Sequence, residues 1–199
     1  LVQAGYRVVT MDVRGQGESS AHWQDYSARA AGTDVLALMQ HLGADKAVVL
    51  GNSFAAGAGL WAARERPDQV QAVGMLGPIV RDLPASWLTR SVVQLGLAGP
   101  WRRGFWMTYW DSLFPLRKPD DHAAYRAQLE ANLGEEGRMA ALHTMVALSK
   151  ADTAGLLGSV TVPVLIVMGT CDPDFSDPTT EARWLADQMK AQLSLVQGA

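Results

Sequence analysis

The chain has 199 residues, enough for one domain with a sizeable core. Its 17 basic and 20 acidic side chains leave a net charge of −3 with no basic run, which argues against nucleic-acid binding as the main role. The single cysteine, Cys171, excludes an internal disulfide framework and suits a reducing cytoplasm, and no apolar stretch reaches the ~18 residues of a membrane span.

In chain order, Leu1–Ala4 reads as the end of a helix stopped by Gly5, and Tyr6–Met11 as a β-rich run. That run leads into the loop Asp12-Val13-Arg14-Gly15-Gln16-Gly17-Glu18-Ser19. Tyr26–Leu42 has helical periodicity through Ala28, Ala31, Val35, Leu38, Met39 and Leu42, and Gly43 closes it. Lys46–Leu50 is a short buried strand, Ser53–Arg66 a helix stopped by Pro67, and Gln71–Leu76 another apolar strand. Strands alternating with helices predict a parallel sheet covered by helices on both faces.

From Gly77 to Gly158 strand signals disappear and helical stretches take over, among them Ala123–Leu133 and Gly137–Lys150. The first part of this region is rich in aromatic residues. Pro163–Met168 then returns as a near-continuous buried strand, followed by a helix over Pro178–Lys190 and a last strand at Leu193–Val196. The pattern divides the chain into an α/β core, residues 1–77 and 159–199, and an inserted helical segment, residues 78–158. The first residue is not methionine and the core pattern is incomplete at both ends, so the chain reads as an internal piece of a longer protein.

The segment that carries chemistry is Lys46–Ala55. An apolar strand ends in Gly51-x-Ser53-x-Ala55 and a helix follows at once, which sets one hydroxyl at the tip of a tight strand-to-helix turn. A serine nucleophile needs a base, usually histidine, and a carboxylate that orients the base. Pro163–Met168 runs straight into Gly169-Thr170-Cys171-Asp172-Pro173-Asp174, and an acid past the carboxyl end of a parallel strand shares the sheet edge with Ser53. Asp172 is the first candidate acid, Asp174 the second and Asp177 the third. Without its partners Ser53 would be an ordinary helix-capping serine, and Asp172 a turn residue before Pro173.

Three pieces in this order resemble the α/β-hydrolase superfamily: the Asp12-x-Arg14-Gly15-x-Gly17-x-Ser19 loop, the Gly51-x-Ser53-x-Ala55 elbow, and Gly169-x-x-Asp172 after a Pro-led strand. The resemblance covers essentially the whole chain. It implies a mostly parallel sheet flanked by helices, with residues 78–158 as a helical cap. It also implies a Ser-His-Asp mechanism with Ser53 and Asp172 as catalytic residues and the Phe54 N–H as an oxyanion donor. The family's histidine follows the last strand, so it is expected beyond Ala199. The second oxyanion donor and one central strand, between Tyr6–Met11 and Lys46–Leu50, are expected upstream of Leu1.

A serine at the elbow, in place of aspartate, argues against epoxide hydrolysis and dehalogenation. What remains is hydrolysis of a small carboxylic ester or related acyl bond, with lactone opening, C–C bond hydrolysis, cofactor-free perhydrolysis and non-catalytic ligand reception as alternatives. The expected partner is a small molecule, with no metal or organic cofactor, and the sequence leaves the oligomeric state open. Some of Trp101, Phe105, Trp106, Tyr109 and Trp110 are expected to line an apolar pocket under the cap. The Asp12–Ser19 loop reads as structural and Cys171 as a packing residue. His22, His41, His122 and His143 all lie away from the place where the base is expected.

Overall fold

A computed structural model describes residues 1–84 and 86–199. Four parallel strands form one sheet in the order β1-β2-β3-β4: β1 Ala47–Asn52, β2 Val70–Leu76, β3 Val164–Gly169 and β4 Gln192–Val196. Helix α1 (Ala28–His41) precedes β1, α2 (Ala55–Glu65) connects β1 to β2, and α8 (Pro178–Met189) connects β3 to β4. Five helices lie between β2 and β3: α3 Trp87–Ala98, α4 Arg102–Ser112, α5 His122–Leu133, α6 Arg138–Ala147 and the single turn α7 Ala151–Ala154. The expected α/β architecture with a helical insertion is what forms.

The helices start where short polar side chains serve their first amides. Ser27 accepts from the Ala30 N–H, Ser86 from Thr89 and Asp177 from Thr180, the last at 3.0 Å with Pro178 in the first turn. Helices α2 and α8 lie against the same face of the sheet. Their Ala56, Leu60, Ala182 and Leu185 close over Val73, Met75, Ile166 and Met168 in one buried cluster. Each large aliphatic side chain fully buried there contributes roughly 1.5–3 kcal/mol. Helix α1 packs on α2 so closely that a Cβ at Gly32 would meet the Trp61 Cβ at 2.8 Å. The insertion has its own core of Leu97, Met107, Leu133, Met139 and Leu142.

Two expectations are corrected. The opposite face of the sheet is not covered: Val48, Leu50 and Leu165, which alternate with the buried positions, are exposed among the described residues. Tyr6–Met11 forms no strand. No described strand ladders with it, and Tyr6, Val8 and Val9 are exposed. β-Propensity favours an extended chain, and only a hydrogen-bonding neighbour makes it a strand. The Asp12–Ser19 loop is tied down as a structural loop would be. Asp12 accepts from the Glu18 N–H at 2.9 Å, and the Arg14 guanidinium forks onto Asp34 of α1, with Nη2 2.9 Å from Oδ1.

Candidate active site

The carboxyl ends of β1, β2 and β3 bring three loops together. After β1 the chain turns at Ser53, whose φ of 53° lies in the left-handed region that non-glycine residues rarely occupy. The turn is held from both sides. The Ser53 N–H donates to the Leu76 carbonyl at 2.8 Å, and the Ile79 N–H donates to the Ser53 carbonyl at 3.3 Å. Gly51 is small of necessity, because a Cβ there would run into the Ala55 carbonyl and stand 2.6 Å from Ala56 N. Helix α2 has no side-chain cap, so the Ser53 hydroxyl is not employed as a capping group, and Ser53 lines the cleft. Phe54 is the N-cap of α2, with its backbone N–H at the amide-rich end of the helix.

Asp172 stands over the same edge. A Cβ at Gly77, which follows β2 with φ 49°, would lie 3.1 Å from Asp172 Oδ2 and 4.0 Å from Asn52 Oδ1. The carboxylate of the β3 loop therefore reaches over the end of β2, on the sheet edge that carries the elbow. Its Oδ1 accepts the Asp174 N–H at 3.0 Å, which shapes the loop and leaves Oδ2 toward Gly77. Burial, followed by the proximity of Asp174, raises the Asp172 pKa above the ordinary aspartate value, against the lowering effect of that N–H. Asp174 is engaged elsewhere, accepting the Tyr109 hydroxyl at 2.6 Å. Both Asp177 oxygens bind Thr180 at the start of α8, through its N–H at 3.0 Å and its hydroxyl at 2.6 Å.

The helical insertion roofs these loops and encloses a cleft of about 1580 Å³. Ser53, Phe54, Asp172 and Asp174 line its floor, and Phe105, Trp106, Tyr109 and Trp110 of α4 line its roof. The four aromatic residues recur at i, i+1, i+4 and i+5, which puts them on one helical face. Trp106 packs on Tyr109 with ring centroids 4.9 Å apart. Tyr109 joins roof to floor through Asp174, and burial together with that carboxylate pushes its phenol pKa well up, so it is a neutral donor. Trp101 departs from expectation. Its indole folds back on the end of α3, donating to the Leu95 carbonyl at 3.0 Å, and it is exposed outside the cleft.

Several lining residues escaped the sequence reading. Thr89, Arg90, Val93 and Leu97 of α3 form one wall, and Lys150 closes a corner, its Nζ donating to the Leu148 carbonyl at 2.9 Å. Burial pushes the Lys150 pKa down. His122 and His143 also face the cleft. His122 is buried between Trp110 and Phe114, with ring centroids 4.9 and 5.0 Å away and Nε2 3.4 Å from Asp111. His22 and His41 lie outside the cleft. A second hollow, of about 670 Å³, lies before β1 and β2 at the opposite sheet edge and is lined by polar and charged groups such as Arg29, Gln40 and Glu65. Among the described residues no three His, Cys, Asp or Glu side chains gather as a metal site would require, and no helix is long and apolar enough to cross a membrane.

The sequence model of the family described as alpha/beta hydrolase fold matches residues 1–184. The chain is 26% identical over 182 residues to 3-oxoadipate enol-lactonase 2 of Acinetobacter baylyi, covering 86% of this chain and 63% of that protein. Among solved structures, a bromoperoxidase from Bacillus anthracis superposes with a TM-score of 0.79 at 21% identity, covering 100% of this chain and 76% of its own. The enol-lactonase from Burkholderia xenovorans LB400 superposes with a TM-score of 0.68 at 21% identity, covering 93% and 70%. These two likenesses are of fold, and the chain spans less than two thirds of the Acinetobacter relative's length. With the parallel sheet, the elbow and the family match in agreement, the chain belongs to the alpha/beta hydrolase fold family.

Proposed function

We propose that the chain carries the nucleophile and the orienting acid of a serine hydrolase acting on a small carboxylic ester or related acyl bond. The observation that carries this reading is the Ser53 elbow: a non-glycine residue held at φ 53° in the lining of the cleft, with the half-buried carboxylate of Asp172 over the same sheet edge. Backbone strain of this kind persists only where surrounding contacts impose it. Ser53 Oγ attacks the acyl carbonyl and passes its proton to an imidazole. Asp172, through Oδ2, holds that imidazole in its working tautomer and steadies its positive charge. The Phe54 N–H receives the developing oxyanion, a contribution of roughly 3–4 kcal/mol where single donors have been removed. Water then repeats the sequence on the acyl-enzyme.

In this reading the imidazole reaches Ser53 and Asp172 from the β4 side, and neither histidine of the cleft is placed to supply it. His122 is enclosed by Trp110 and Phe114 and turned toward Asp111, and His143 lines the cleft from α6 rather than from the β4 side. Ala199 lies beside the acid loop, its carbonyl accepting the Cys171 N–H at 2.7 Å, so the segment after β4 borders Asp172. The open edge of β1 and the unpaired Tyr6–Met11 segment support one further strand between them. Residues 78–158 serve as the cap, which excludes water and presents an aromatic wall to the acyl or ring portion of the substrate.

A second reading within the class is lactone opening, favoured by the 26% identity to an enol-lactonase. The test is active-site labelling with a fluorophosphonate, followed by turnover across an ester and lactone panel. Labelling should map to Ser53 and disappear in Ser53→Ala. Labelling elsewhere would overturn the assignment. Stoichiometric labelling of an intact, full-length protein that turns over nothing would favour a ligand receptor.

A further inference from the structure

Helix α3 has two apolar faces. One, with Val93 and Leu97, belongs to the cleft and the core of the insertion. The other faces solvent: Trp87 is 79% exposed, Leu95 66%, and Leu88 and Val92 more than half. Trp101, folded back on the end of the helix and 60% exposed, extends this face. At 100° per residue Trp87, Leu95, Leu88 and Val92 fall within a single arc of about 140°, so they form a continuous stripe.

The charge around the stripe is one-sided. From Leu83 to Trp110 there is no Asp or Glu, while Arg90, Arg102 and Arg103 are present, in a chain whose net charge is −3. Among the described residues none of the three arginines is in an ion pair. Arg90 belongs to the cleft wall, near Asp82, but Arg102 and Arg103 are exposed just past the C-terminal end of the stripe. An exposed helix with Trp and Leu on one side, no acid of its own and such arginines at its end has the composition of a segment that lies in a membrane interface.

We propose that the outer face of α3, with Trp101, docks on an anionic lipid surface. The face inserts Trp87, Leu88, Val92, Leu95 and Trp101 at headgroup depth while Arg102 and Arg103 meet lipid phosphates. A second copy of the chain is the weaker occupant. One 12-residue helix is about 18 Å long, too small an area for the roughly 800 Å² per partner that a stable dimer needs. A two-fold arrangement would also set like-charged arginines against each other. Because the other face of α3 walls the cleft, docking sets the cleft one helix away from the lipid boundary.

The test is sedimentation of the 199-residue chain with phosphatidylcholine vesicles containing about one third phosphatidylglycerol, and with pure phosphatidylcholine vesicles. We expect binding to the anionic vesicles that weakens with salt, with a blue shift of tryptophan emission. Leu88→Ser with Leu95→Ser should lower the affinity at least about tenfold. Arg102→Glu with Arg103→Glu should lower it by more, since each arginine near such a surface is worth roughly fivefold. All four positions are exposed, and unchanged thermal melting would show that the variants remain folded. Failure to bind anionic vesicles, or binding that neither variant changes, overturns the proposal. So does a concentration-dependent dimer that Leu88→Ser with Leu95→Ser abolishes, which would assign the face to a second copy.

Discussion

Replacing Ser53 with glycine separates the two properties of the elbow, its hydroxyl and its backbone. At φ 53° an L-residue pays roughly 1–2 kcal/mol for the crowding of its Cβ, and glycine pays nothing. Glycine gives back about 0.5–1 kcal/mol of this through the greater freedom of its unfolded chain. Against Ser53→Ala, which keeps the Cβ and also lacks the hydroxyl, Ser53→Gly should therefore be more stable by about 1 kcal/mol. For a chain of this size that corresponds to roughly 2–4 °C in melting temperature. The flanking contacts, from Ser53 N–H to Leu76 and from Ile79 N–H to Ser53, are backbone groups that neither variant removes. The comparison needs urea or thermal unfolding of both variants, with fluorophosphonate labelling in parallel. Both should lose labelling, and only glycine should gain stability. A glycine variant no more stable than the alanine variant would refute a left-handed elbow imposed by its surroundings.

Three further outcomes follow from the same geometry. Gly51→Val would drive a side chain into the Ala55 carbonyl and Ala56 N, backbone atoms that cannot swing aside, so it should cost about 3 kcal/mol by urea unfolding and abolish Ser53 labelling. Asp172 has a raised pKa in the folded state, so its contribution to stability is intact below the ordinary aspartate range near pH 4 and is lost as pH rises through the folded value. Asp172→Asn escapes that loss. It should melt higher than the parent at about pH 7 with no advantage at about pH 3, and an advantage equal at both would contradict the assignment. Tyr109→Phe deletes the hydroxyl that binds Asp174 and should cost about 1–2 kcal/mol in unfolding measurements, with slower fluorophosphonate labelling as roof and acid loop uncouple.

The sequence was most legible where one local pattern determines one local structure. The run Ala47–Gly51 ends in a small-x-Ser-x-small turn because strand and helix backbones approach there, and the close contact of Gly51 with Ala55 bears this out. The sequence marked the aromatic residues of the insertion as a group, and the helical face that Phe105, Trp106, Tyr109 and Trp110 share came from the structure. The helix reading that began at Ser53 started two residues early, because Ser53 is left-handed and α2 begins at Ala55. Tyr6–Met11 failed as a strand because pairing is a property of two segments. Trp101 failed as a pocket residue because the turn after α3 reverses it onto Leu95. The Tyr109–Asp174 bond spans 65 positions and His122 is enclosed by Trp110 and Phe114, and no periodicity records contacts of that kind.

The distribution of packing bears on how the elbow is maintained. The backbone bonds that fix Ser53 come from β1, β2, α2 and the loops at their carboxyl ends, and this half of the molecule is closely packed: Leu60, Val73, Met75, Ile166 and Met168 are almost wholly buried. Among the described residues nothing covers the opposite sheet face or the outer edge of β1, and Val48 and Leu50 are exposed. Open apolar faces and edges lower global stability and invite association, but they do not act on the φ of Ser53, which is set by Gly51, Leu76 and Ile79. Local geometry and global stability are thus carried by different residues. Covering the exposed face should raise the unfolding free energy of the whole chain while leaving the elbow where it is, because the contacts that hold it already lie on the covered side.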